Sequence, residues 1–63
     1  MQIKQRVTRK VGRLIRTGII TRITGVFHYV LWDDEAKGVI DDFTGKRVPA
    51  QPYPYLAAEI KPA

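Results

Sequence analysis

The amino-acid sequence predicts a small all-β domain, and three observations lead to that fold class. Two runs rich in β-branched and aromatic residues, 18–23 and 26–32, are each bounded by turn-forming residues. Prolines and glycines divide the rest of the 63 residues into short pieces. The hydrophobic content of 44% is too high for a chain that is disordered throughout. We therefore expect one domain over residues 1–63, in which disorder is left open only for residues 1–5.

The clearest element is an antiparallel hairpin made by these two runs. Thr24 and Gly25 lie between them and supply the turn. In the first run, Ile20 and Arg22 share one face, and the odd-numbered residues share the other. The second run places two apolar sets on opposite faces: Phe27, Tyr29 and Leu31 against Val26, His28, Val30 and Trp32. One of the two sets must form the core.

Shorter elements follow the hairpin. An acidic turn over residues 33–38 precedes two short strands, 39–43 and 47–48, which meet around Gly45. The proline-rich stretch 49–54 predicts an edge strand or a crossing loop, because proline has no N–H to donate to a ladder. Residues 55–58 predict a single helical turn before a last short strand over 59–61.

The first seventeen residues allow two interpretations. Ile3, Val7, Val11 and Ile15 recur every four residues, which fits a basic amphipathic helix that ends at Gly18. The apolar residues are mostly β-branched, however, and Gly12 lies within the pattern, which weakens a helix. We favour a strand, a turn near Gly12 and a second strand.

Charge is distributed unevenly along the chain. The net charge is +5, yet the first 25 residues contain no acid at all. Their cations are Lys4, Arg6, Arg9, Lys10, Arg13, Arg16 and Arg22. Five of the six acids are then concentrated at residues 33–35 and 41–42. This division indicates an anionic partner, for which nucleic acid is the leading candidate.

The order of elements resembles that of the small SH3-like barrels, including the KOW, Tudor and chromo-like modules. The likeness rests on the basic first strand, the segment 16–20, the aromatic strand ending Tyr29-Val30-Leu31-Trp32, and the closing segment 55–62. It implies an all-β, five-stranded SH3-like barrel with one short helical turn before the last strand. It further implies loops and faces that bind nucleic acid, peptides or proteins, although a shared fold does not transfer a function.

A second, local resemblance concerns residues 51–59. Gln51-Pro52-Tyr53-Pro54 with the alanine-rich turn after it is similar to the Val-Gln-Ile-Tyr-Pro segment of the plasmid-borne type II dihydrofolate reductases, which assemble as tetramers around a pore. This resemblance implies pore roles for Lys10, Gln51 and Tyr53. Pro52 departs from the family, because it removes a backbone donor at a position that serves cofactor and substrate.

The candidate site is a nucleic-acid interface on the basic half of the chain. Arginines and lysines there would contact phosphates and release counterions, with hydroxyls of Thr8 and Thr17 as uncharged phosphate contacts. Two aromatics of the second hairpin strand, Tyr29 and Trp32, would offer stacking surfaces. The predicted nucleic-acid-binding residues are Arg6, Arg9, Lys10, Arg13, Arg16, Arg22, Tyr29 and Trp32. The alternative to nucleic-acid binding is a solvated basic face that keeps a small protein soluble.

Other polar residues suggest structural roles. His28 is the single histidine and has no partner spacing for catalysis or metal binding, so we expect a structural histidine. The acids at 33–35 lack the spacing of a calcium loop, and we expect them to stay solvated or to pair with the basic half of a neighbouring molecule. No catalytic residue, metal site or cofactor is predicted.

The sequence therefore favours a non-enzymatic, cytoplasmic module that binds DNA or RNA, without a membrane segment or a small-molecule substrate. The first alternative is a protein-interaction or self-assembling module, and homo-oligomers are expected for so short a chain. The third is an oligomeric enzyme like the type II reductases.

Overall fold

The computed structural model describes residues 1–63 and shows an all-β domain. Its strands are β1 (Arg6–Val11), β2 (Leu14–Thr24), β3 (Phe27–Trp32), β4 (Val39–Ile40), β5 (Arg47–Val48), β6 (Tyr53–Leu56) and β7 (Lys61–Pro62). Two single 3-10 turns are present, η1 (Asp33–Glu35) and η2 (Ala57–Glu59). The predicted all-β class and the helical turn before the last strand are confirmed.

The strands form two sheets. Five antiparallel strands pair in the order β6-β3-β2-β1-β7, and β4 pairs separately with β5. Since β6 and β7 lie at the two ends, strand pairing shows an open sheet and not a closed barrel. Each edge strand contains a proline, Pro54 or Pro62, which blunts the edge against further pairing. The predicted edge position of the proline-rich stretch is thus confirmed for β6.

The first seventeen residues fold as strand, turn and strand, as favoured over the helix. Residues of β1 pair with the first half of β2, from Arg6 opposite Ile19 to Val11 opposite Leu14. Gly12 and Arg13 form the two-residue connection, and Gly12 has a φ of +60°. A glycine with positive φ at the first central position is typical of tight hairpin turns. A Cβ at Gly12 would meet no atom within 4 Å, so the requirement is conformational and not steric.

The predicted hairpin of the two central strands is also confirmed, with two corrections. Val26 lies in the turn with Gly25, so β3 begins at Phe27. The register between β2 and β3 shifts by one residue between Ile20 and Arg22. Because of this bulge Thr21 is the extra residue, and Arg22 faces Tyr29. The expectation that Ile20 and Arg22 share a face is therefore wrong.

The core lies on one side of the sheet, which we call the inner face. It consists of five buried side chains, Val7, Ile20, Val30, Trp32 and Ile60. Gly18 permits this packing, because a Cβ there would lie 2.6 Å from the carbonyl oxygen of Leu31 and 2.9 Å from the Trp32 ring. The opposite side of the sheet, which we call the outer face, carries the alternate residues of the same strands.

The boundaries of the later elements differ slightly from the predicted ones. Phe43 lies in the turn between β4 and β5 and not in a strand. Residues 55–56 belong to β6, so η2 begins only at Ala57, and β7 begins at Lys61. Near the N-terminus, the backbones of Lys4 and Gln5 exchange hydrogen bonds with Ile20.

Candidate nucleic-acid interface

Most cations of the chain have no acidic partner. Salt bridges join Arg6 to Asp33, and Arg16 to both Asp34 and Glu35. The other nine basic side chains have no carboxylate within 4.0 Å: Lys4, Arg9, Lys10, Arg13, Arg22, Lys37, Lys46, Arg47 and Lys61. Charge available to an anion therefore remains on both hairpins of the main sheet.

The acidic turn η1 pairs within its own chain. Asp33 accepts a hydrogen bond from Arg6, and the two following acids accept from the Arg16 guanidinium. Asp33 and Asp34 remain exposed, as expected, but all three acids also pair within the chain, because β1 and β2 bring both arginines next to the end of β3. Pairing with a neighbouring molecule stays a prediction. Two of the predicted nucleic-acid-binding cations are consequently engaged already.

Arg16 has a structural environment on the inner face. Its Nη2 atom donates to Asp34 Oδ1 at 2.9 Å and to Glu35 Oε1 at 3.0 Å. The guanidinium lies 4.8 Å from the centroid of the Trp32 ring, a cation–π contact. The hydrogen bond to Asp34 is the main cause that raises the pKa of Arg16 above its usual value, and partial burial opposes it. Arg16 therefore fastens η1 to the core.

Trp32 belongs to the core, and its prediction as a stacking surface is wrong. The residue is fully buried, its indole Nε1 donates to the hydroxyl of Tyr55 at 3.2 Å, and the two rings meet edge to face at 5.6 Å. Both apolar sets of β3 looked equally suited to the interior, and packing with Val7 and Ile60 selected the even-numbered one.

Arg9 lies beside Arg16 on the inner face. The two residues are directly opposite each other in the β1–β2 register, an arrangement in which like charges repel. Their guanidinium groups lie over different rings, because Arg9 lies 5.2 Å from the centroid of Tyr55. Arg9 has no carboxylate partner and is half-buried.

The outer face brings together Arg22 and Tyr29. These residues are cross-strand partners, and the guanidinium of Arg22 lies 4.2 Å from the Tyr29 ring centroid, the shortest such contact in the structure. Half-buried Ile19 and Leu31, partners in the same pair of strands, continue this surface toward β1. Pro54 borders Tyr29 on the other side. The result is an apolar strip with an aromatic ring and an unpaired arginine.

A shallow groove continues the outer face at its β1–β7 end. Thr8 pairs with Lys61 in the register, and Lys10 lies two residues along β1. The groove has a volume of about 340 Å³, and it is lined by Thr8, Arg9, Lys10, Ile15, Ala58, Glu59 and Lys61. Its outer-face cations, Lys10 and Lys61, outnumber its one acid, Glu59, and the threonine hydroxyl adds an uncharged donor.

The predicted site residues are thus spread over several surfaces. Lys10 and Arg22 lie on the outer face without acidic partners, whereas Arg6 lies there but binds Asp33. Arg9 and Arg16 lie on the inner face, and Arg13 is exposed at the turn of the first hairpin. The interface expected on the basic half of the chain is therefore divided between the two faces of the sheet and the turn of the first hairpin. Sequence reasoning also missed Lys61, whose place in the closing strand beside the basic β1 was the available signal.

Two observations bear on catalysis and metal binding. His28 is half-buried and its Nδ1 atom has no hydrogen-bond partner. No group of three or more histidine, aspartate or glutamate side chains is placed to hold a metal ion. Of the residues matched to the type II reductases, Lys10 lies on β1 and Tyr53 on β6, with β2 and β3 between them. A shared pore would need further copies of the chain, and the reductase reading stays a prediction.

None of the helical segments is long and apolar enough to cross a bilayer. Comparison of the chain with protein-family models, with curated proteins and with solved structures gives no match.

Proposed function

We propose that this chain is a non-enzymatic nucleic-acid-binding module that uses the outer face of its sheet. The observation that carries the proposal is the Arg22–Tyr29 pair, an unpaired arginine over an aromatic ring on the hairpin of β2 and β3. Aromatic and guanidinium planes are the groups on which proteins stack bases. The apolar strip beside them, formed by Ile19 and Leu31, extends the stacking surface.

The cations around this strip supply the electrostatic part of the site. Lys10 and Lys61 line the groove at one end, and Arg22 lies at the other, all without carboxylate partners. Each phosphate contact releases condensed counterions, so the affinity should depend on salt. Arg6 would contribute only after exchanging Asp33 for a phosphate, which makes it a weaker member of the site.

For the fold, we propose membership of the SH3-like modules. The relation is supported by the antiparallel order β2-β3-β6, by a first strand that pairs with both β2 and β7, and by a 3-10 turn before β7. β2 pairs with β1 through its first half and with β3 through its second half, as a strand shared between two layers would. The relation raises the expectation of a binding module and does not specify its ligand.

The test is fluorescence anisotropy with labelled single-stranded and duplex DNA and RNA across a salt series. We expect binding at low salt that weakens steeply as salt rises. Lys10→Ala should lower the slope of log affinity against log salt by about 0.7–0.9, the effect of one phosphate contact. Lys46→Ala is the matched control, because Lys46 is exposed and unpaired but lies at the β4–β5 turn.

Two outcomes would contradict the proposal. One is an absence of binding to every probe at low salt. The other is binding in which Lys10→Ala and Lys46→Ala have equal effects, since that would indicate attraction by net charge and not by the outer face.

A further inference from the structure

Phe43 is the most exposed hydrophobic side chain of the protein. It is 100% exposed, although phenylalanine is normally found inside proteins. The turn that carries it is well ordered by hydrogen bonds. Asp41 Oδ1 accepts from the Phe43 amide at 2.8 Å, and the Asp41 carbonyl accepts from the Gly45 amide at 2.7 Å. The ring is therefore presented on a fixed turn and not on a loose tail.

This turn also carries free negative charge. Asp41 and Asp42 have no basic side chain within 4.0 Å, in contrast to the three acids of η1. Ile40, the residue before them, is 55% exposed. We call residues 40–43 the acidic knob, since they combine an aromatic ring, a second apolar side chain and two carboxylates.

The end of the first hairpin has the opposite charge and the same apolar character. Residues 10–15 are all exposed, with Leu14 at 71% and Ile15 at 67%. Lys10 and Arg13 are the charged residues of this segment, and neither has a carboxylate partner. We call residues 10–15 the basic ribbon tip.

From these two surfaces we infer that the protein associates head to tail, with the acidic knob of one copy docked on the basic ribbon tip of the next. Phe43 would cover Leu14 at the end of the ribbon, while Asp41 and Asp42 would face Lys10 and Arg13. Contacts between two knobs or between two ribbon tips would bring like charges together, which disfavours both of those pairings. A head-to-tail interface is heterologous and leaves a free knob and a free tip on every dimer, so association continues beyond two copies, whereas a reciprocal two-fold dimer would stop at two.

The small core gives a reason for such an association. Only six of the 63 residues are buried, and eleven large hydrophobic side chains are exposed. A chain of this length gains stability when apolar surface is covered by another subunit. This inference does not rest on nucleic-acid binding, because the knob carries no cation and the association needs no third component.

The experiment uses two full-length variants with opposite defects. Phe43→Ala removes the anchor of the knob, and Leu14→Asp places an acid on the ribbon tip. Sedimentation equilibrium of the unaltered protein should show a mass that rises with concentration beyond a dimer. Each variant alone should have a dissociation constant raised by about 30-fold or more, the effect of losing an interface anchor. Val26→Ala, at a site 64% exposed in the second hairpin turn, is the control that should associate normally.

Mixing the two variants gives the decisive result. Leu14→Asp keeps an intact knob and Phe43→Ala keeps an intact tip, so the equimolar mixture should form a one-to-one dimer that grows no further. Circular dichroism of each variant establishes that it is folded. A monomer at all concentrations of the unaltered protein would overturn the inference. So would a mixture of folded variants that stays monomeric, since that outcome excludes complementary surfaces.

Discussion

Each face of the sheet carries an arginine over an aromatic ring, and the two pairs have different surroundings. On the inner face Arg16 lies over the buried Trp32 and is held by two carboxylates. On the outer face Arg22 lies over the half-buried Tyr29 and has none. Both arginines belong to β2, only six residues apart. The difference indicates that two acids give the inner arginine a structural role, whereas the outer arginine has no ionic partner, which is why we propose it as a ligand contact.

The bulge in β2 separates these two roles. Ile20 is directly opposite Val30, so in a regular ladder the next residue, Thr21, would face Tyr29. The extra residue shifts the register of β2 by one, so Arg22 lies opposite Tyr29 instead. A local irregularity of one residue thus decides which side chain faces Tyr29 on the outer face.

The largest expected effect comes from truncating Trp32, the largest buried side chain of the core. Trp32→Ala removes the indole from the core and leaves the hydroxyl of Tyr55 without its donor. We expect a loss of about 3–5 kcal/mol in the free energy of unfolding, measured by urea denaturation. So large a loss would leave much of so small a domain unfolded. Tyr29→Ala on the outer face is the control, and an equal loss from both would remove the distinction between the faces.

The close approach of β2 to β3 on the inner face can be tested at Gly18. An alanine Cβ there would lie 2.6 Å from a backbone oxygen of Leu31, so β2 and β3 would have to move apart. Gly18→Ala should destabilise the protein by about 1–3 kcal/mol, as overpacking does, and lower the melting temperature. Thr17→Ala, one residue away on the outer face, should have little effect. Equal melting temperatures for the two variants would contradict the close approach.

The hairpins were predictable, but the assignment of faces was not. Gly12 and Gly25 mark turns through their positive φ, and β-branched runs flank them, so β1 to β3 could be anticipated from local pattern. The facing of Trp32 could not, because both sides of β3 are apolar and only long-range packing distinguishes them. The pairing of η1 with Arg6 and Arg16 likewise depends on distances across three strands, which composition does not contain.

The two arginines of β2 should separate stability from binding. Arg16→Ala removes a cation–π contact and two charge-assisted hydrogen bonds at a partly exposed site, for about 1–2 kcal/mol of unfolding free energy. Arg22→Ala should cost about 0.5 kcal/mol or less, since its contact is exposed. Thermal unfolding and anisotropy of both variants test the contrast. If Arg16→Ala weakens nucleic-acid binding more than Arg22→Ala without unfolding the protein, the proposed division of the faces is wrong.

The pKa of Arg16 sets the sign of its pH dependence. A base whose folded pKa is raised contributes stability that is complete below its unfolded pKa and is lost only as the pH rises through the folded pKa. That window lies above the usual arginine pKa, so titration of Arg16 should leave the Arg16→Ala difference unchanged between about pH 6 and pH 9. Urea denaturation of both proteins at several pH values checks this. A difference that shrinks as the pH rises within this interval would show that another group controls the contact.

The smallest expected effect distinguishes stacking from simple charge on the outer face. Arg22→Lys keeps a cation opposite Tyr29 but removes the planar guanidinium, which alone can lie flat against both the ring and a base. If the site binds only phosphates, the variant should match the unaltered protein in affinity and in salt dependence. If bases stack on the Arg22–Tyr29 pair, affinity should fall by about 2- to 5-fold at constant salt slope. Anisotropy with single-stranded probes separates these outcomes, because unpaired bases expose the surfaces that a stacking site recognises.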